Sequence, residues 1–169
     1  MIKLLEWTQS ERHDIATYIL KTAGLTLAGA FLIGAAVSAL FPNAMQPDVG
    51  DVTLQPWLVF FGVVILSPII ETLMMWPIIA LLGWLFRKKS AYLIAVLSAG
   101  VWAGLHSLAA PIWGLVIFWP FVMFSLCFIN WQKRSIWLAI GMTTICHAIH
   151  NFVPFSAMLA QPYFPAPAA

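Results

Sequence analysis

The chain has 169 residues, 62% of them hydrophobic and 8% charged, with a mean hydropathy of +0.93 and a formal net charge of +2. A soluble domain of this size needs far more polar surface, and so small a charge leaves no electrostatic footprint for nucleic acid. The composition is that of a polytopic integral membrane protein with no room for a separate soluble domain, and the lipid bilayer is its first partner.

Residues 1–21 read as a cytoplasmic or interfacial segment. Leu4, Leu5, Trp7, Ile15 and Ile19 suit a short helix on the membrane surface, and a solvated extension is the other reading. Apolar runs long enough to cross a hydrocarbon core of about 30 Å follow at 22–41, 57–86, 91–109, 112–130 and 136–155. They predict an all-α bundle of five transmembrane helices in one domain, 22–155, followed by a flexible Pro-rich tail, 156–169. Val37-Ser38-Ala39 resembles a signal-peptide cleavage site. The acidic residues of the leader and an apolar run longer than a usual signal core favour an uncleaved first helix.

All eight basic residues fall on one side of these spans: Lys3, Arg12 and Lys21, then Arg87, Lys88 and Lys89, then Lys133 and Arg134. The positive-inside rule places the N-terminus in the cytoplasm and the C-terminus outside, as in a bacterial inner or cell membrane. Trp57, Trp84, Trp131 and Trp137 near span ends suit interfacial belts, and Cys127 and Cys146 within spans suit small packing residues. The second span is too long for the bilayer, so it must tilt, overhang or break, and Pro68 and Pro77 on either side of Glu71 predict a kink.

Glu71 is the feature that points to function. An ionisable group at membrane depth costs about 3 kcal/mol or more and is seldom kept without a partner or a task. His106 lies near the end of the third span, and His147 and Asn151 stand one turn apart on one face of the fifth. His150 reads as a histidine satisfied near the interface. Gly100 and Gly104 form a small-x-x-x-small surface that predicts a close helix contact holding His106 against a neighbour.

Three helices thus bring hydrolysis-competent groups into an interior with no other acid and no base. A carboxylate withdrawn from water is a better proton acceptor than one in water. A histidine can orient the same water, and a second histidine with an amide can donate to the oxyanion of a tetrahedral intermediate, at about 3 kcal/mol per well-placed donor. The expected chemistry is hydrolysis of a peptide bond.

Glu71 in a Pro-bounded span, Trp102-Ala-Gly-Leu-His106 and His147-Ala-Ile-His-Asn151 resemble the motifs of the CAAX-protease and bacteriocin-processing (CPBP or Abi) family of glutamate-type intramembrane proteases. The family pattern is E-E-x-x-x-R, then F-x-x-x-H, then H-x-x-x-N or H-x-x-x-D on successive membrane helices, and the resemblance covers about residues 64–155. It implies water activation by Glu71 and His106 and oxyanion stabilisation by His147 and Asn151. Thr72 stands where the family has its second Glu and Trp76 where it has Arg, so an i, i+4 ion pair is lost as a unit. Trp102 keeps the aromatic of the second motif.

The resemblance implies a metal-free, cofactor-free mechanism on a membrane-associated protein or peptide. Zinc held by Glu71, His106, His147 and His150 is the other possibility at this site, although no H-E-x-x-H is present. Two further readings stay open: a catalytically silent relative acting as a binding, immunity or maturation factor, and a membrane protein ligating haem or metal through His106 with His147 or His150. Oligomeric state is not legible in the sequence.

Overall fold

The computed structural model describes residues 6–9, 14–42, 55–86 and 90–160. Within them lie a short 3-10 turn, Glu6–Gln9, and five helices: α1 (Ile15–Leu40), α2 (Pro56–Leu85), α3 (Ala91–Ser107), α4 (Trp113–Trp131) and α5 (Ile136–Ala160). The protein is an all-α helical bundle. Four helices are long and apolar enough to cross a membrane, and α3, equally apolar, is shorter at 17 residues.

α1 begins before the expected residue 22 because Asp14 caps it, its carboxylate accepting from the Thr17 N–H at 2.9 Å. The same bond holds the Asp14 carboxyl below the usual carboxylate range. Ile15, Ile19 and Lys21 therefore belong to the first long helix rather than to a separate leader. Lys21 is exposed, with its ammonium 5.8 Å from the centre of the Trp7 ring. Trp7 packs edge-on against Tyr18, whose hydroxyl donates to the Thr8 carbonyl, so the 3-10 turn is fastened to α1. At the other end of the chain α5 continues to Ala160, past the expected end at 155. The rest of the tail, most of the 42–56 loop, the other leader residues and Arg87–Lys89 lie outside the described residues.

α4 is the central helix. Every residue from Pro120 to Trp131 is buried, and 67% of its span is covered, against 17–28% for α1, α2 and α5. It packs against α3, α1 and α5, while α2 packs on α5 and α3. Two small-residue contacts bring these helices close. The Trp119 indole lies over Gly29 and donates to the Leu25 carbonyl at 2.8 Å, joining α4 to α1. A Cβ on Gly29 would stand 2.1 Å from the indole, so Gly29→Ala is expected to cost about 1–3 kcal/mol through overpacking and loss of this bond, read as a lower unfolding midpoint in detergent.

The second contact corrects the sequence expectation for α3. Gly100 and Gly104 are exposed, and a Cβ on either meets nothing within 4 Å. The face of α3 that packs is Ala95, Ser98, Ala99 and Trp102, and the close approach is made from α4, where Gly114 lies against Ala103 and Ser107. Ser98 and Ser125 share a hydrogen bond of 3.0 Å across that interface. Trp57, Trp84 and Trp137 are exposed near helix ends as expected, but Trp131 is buried against Tyr18, with the Arg134 guanidinium 4.9 Å above its ring. This contact gathers Lys21, Lys133 and Arg134 at one end of the bundle. Cys127 and Cys146 are free and buried in the core.

Candidate functional site

α2 has an interruption that decides what it presents. Its 30 residues, about 45 Å of helix, begin with Pro56–Val59, wind as a π-helix over Phe60–Leu66, and resume as an α-helix over Ser67–Leu85. The Ser67 N–H reaches back five residues to the Gly62 carbonyl. The expected disturbance at Pro68 thus takes the form of wider winding just upstream of it, of the kind often found at functional sites. In a regular α-helix each four-residue step drifts by about 40°, so three steps would carry a side chain about 120° around the axis. Wider winding absorbs this drift, and Val59, Val63, Ser67 and Glu71 all border the same cavity.

That cavity, about 580 Å³, is bordered by all five helices. α1 contributes its C-terminal half, α2 the face ending at Glu71, α3 only His106, α4 its N-terminal half, and α5 a helical stripe of His147, His150, Asn151, Pro154, Phe155 and Met158. The site therefore occupies the half of the bundle away from Lys21, Lys133 and Arg134. Its polar side chains are Ser67, Glu71, His106, His147, His150 and Asn151, set in otherwise apolar walls.

All four residues singled out in the sequence reach this one space. Glu71 Oε2 stands 3.9 Å from His147 Nε2, too far for a direct hydrogen bond and close enough for one water to bridge. Ser67, one turn before Glu71, donates its hydroxyl to Oε1. Oε2 is buried without a hydrogen-bond partner in the protein and is the oxygen that faces His147. His106 Nδ1 lies 2.9 Å from the Trp102 carbonyl, and an oxygen there accepts, so this nitrogen carries hydrogen and in a neutral ring Nε2 is the acceptor. His147 Nδ1 is buried and unpartnered, which for a neutral ring favours hydrogen on Nε2, facing Glu71. Asn151 is engaged differently from a free donor: its amide nitrogen bonds the Val63 carbonyl of α2 at 2.9 Å.

α4 supplies an aromatic floor that the sequence did not distinguish within its apolar run. Phe124 stacks on His147 with ring centres 4.4 Å apart and meets His150 edge-on. Phe121 lies between two of the candidates, 5.3 Å from His106 and 5.6 Å from His147. Trp113 closes edge-on over His106 at 5.1 Å. His150, expected at the interface, faces the cavity with Nδ1 buried and unpartnered. Ser67 was also missed, although its position four residues before Glu71 was a readable signal. Thr72 is buried, whereas Trp76 is half exposed on the outer surface of α2. Among the described residues no three His, Cys, Asp or Glu side chains are grouped so as to hold a metal ion.

No protein-family model, curated protein or solved structure matches the chain.

Proposed function

We propose that the protein is a glutamate-dependent intramembrane endopeptidase of the cell membrane, cutting a peptide bond in a membrane-associated protein or peptide. The observation that carries this reading is the pairing of Glu71 with His147 at 3.9 Å, beside His106, in a cavity that opens within an apolar bundle. A water between these groups has a base in the Glu71 carboxylate and a second acceptor in the neutral His106 ring's Nε2. Attack on the scissile carbonyl carbon transfers a water proton to Glu71, and His147 Nε2–H is placed to donate to the oxyanion. Collapse of the tetrahedral intermediate breaks the C–N bond as Glu71 passes its proton to the departing amine. Under the positive-inside rule the site lies in the outer half of the bilayer. The resemblance of Glu71, Trp102 to His106 and His147 to Asn151 to the CPBP motifs supports the same assignment.

The test compares membrane and secreted proteomes of cells with wild-type protein, no protein, or Glu71→Ala at equal abundance. A processed peptide that disappears in both the deletion and the Glu71→Ala cells is the expected result and names the substrate. A deletion phenotype that Glu71→Ala does not share would make the protein a binding or assembly factor instead.

A further inference from the structure

Backbone bookkeeping in α2 leaves the Val63 carbonyl without a donor from its own helix. In an α-helix the Val63 carbonyl accepts from the N–H of residue 67, but the Ser67 N–H is committed to Gly62. In π winding the same carbonyl accepts from residue 68, and residue 68 is proline, which has no N–H. Neither helical pattern can satisfy Val63. At membrane depth no lipid group replaces the missing donor, so the carbonyl needs a partner from elsewhere in the bundle. The Asn151 side chain, from α5, donates to it at 2.9 Å.

We infer that Asn151 is a positioning residue: its amide supplies the donor that Pro68 and the π winding withhold from Val63, and so sets the register of α5 on α2. The two helices then share two rungs. One is the Asn151 bond to Val63, and the other, toward the opposite end, is the facing pair of His147 and Glu71. Asn151 follows His147 by one turn on the same face, so a slip of the first rung displaces the second. Proline and asparagine form a matched pair here, the one creating the acceptor and the other requiring it. This inference rests on the hydrolytic reading only where it gives the Glu71 and His147 register a catalytic meaning; the clamp itself stands on geometry.

The test is a double-mutant cycle on the full chain in bicelles, with Asn151→Ala, Pro68→Ala and the double variant. Pro68→Ala returns an N–H that, in the π winding present there, closes on the Val63 carbonyl and makes the amide dispensable. Two readouts are independent of catalysis: the thermal unfolding midpoint, and the distance distribution between spin labels at the exposed positions Ile65 and Phe152. Asn151→Ala alone is expected to lower the midpoint and broaden the distribution, or to prevent folding. In the Pro68→Ala background the same change is expected to do little to either. An equal loss in both backgrounds overturns the inference, as does an Asn151→Ala protein with unchanged midpoint and distances. Should a substrate be in hand, Asn151→Ala cleavage recovers in the double variant; an oxyanion donor would not be rescued by a change at Pro68. Failure of any cleavage to depend on Glu71 would remove the hydrolytic reading and leave the midpoint and distance results intact.

Discussion

Glu71→Gln is expected to lower peptide hydrolysis by about 10²–10⁴-fold, the contribution of a well-placed general base, while the bundle stays folded. The substitution keeps shape and keeps an oxygen for the Ser67 hydroxyl, so the hydrogen bond that orients the side chain survives. What is lost is the proton acceptor facing His147. Because that acceptor acts in the transition state, the loss falls on kcat, with KM nearly unchanged. Replacing an ionisable group at membrane depth by a neutral amide relieves an insertion cost, so the unfolding midpoint is expected to hold or rise. Single-turnover cleavage in bicelles, measured beside thermal unfolding, separates the two effects. A Glu71→Gln protein cleaving within tenfold of wild type would place the base elsewhere.

The second large effect is structural. A Cβ on Gly114 would stand 2.1 Å from Ser107 Oγ and 2.4 Å from the Ala103 carbonyl oxygen. The second atom is backbone and cannot rotate aside, so Gly114→Ala must part α3 from α4 and is expected to cost about 1–3 kcal/mol or more. The damage does not stop at stability, because His106 precedes Ser107 and is wedged against Trp113 at 5.1 Å. Activity is therefore expected to fall even where the protein still folds. Gly100→Ala and Gly104→Ala are the controls: with nothing within 4 Å of the added methyl, both are expected to leave the midpoint unchanged. If all three variants unfold alike, the packing face of α3 is misassigned.

That contrast shows where the sequence could be read and where it could not. Five helices were legible because lipid leaves a chain few options and long apolar runs separated by charged or proline-bearing connections mark them. The polar stripe on α5 was legible for the related reason that His147 and Asn151 stand out on an apolar background. Between Tyr92 and His106 every face of α3 is apolar apart from Ser98, and packing of Ala95, Ser98 and Ala99 against α4, not polarity, chooses which one is buried. The same holds for Phe121 and Phe124, two aromatics among many in α4. Pro68 and Pro77 announced a disturbance in α2, but not that it would be π winding upstream of Pro68 with Val59, Val63, Ser67 and Glu71 on one face. Lys21 misled as to the start of α1, since a lysine can stay on a helix and send its ammonium outward. Trp131 misled similarly, because Tyr18 and Arg134 give a tryptophan at a helix end somewhere to pack.

The clamp between Val63 and Asn151 also bears on how the chain is made. α2 leaves the ribosome with a Glu71 carboxyl that its own Ser67 meets on one oxygen only and a Val63 carbonyl without a donor, and the groups that face them, His147 and Asn151, are on α5, made after the other four helices. Without α5 the other four helices lack both groups. Completion waits on translation of α5. The cavity, which α5 lines with His147, His150 and Asn151, cannot be complete until that helix has joined the others.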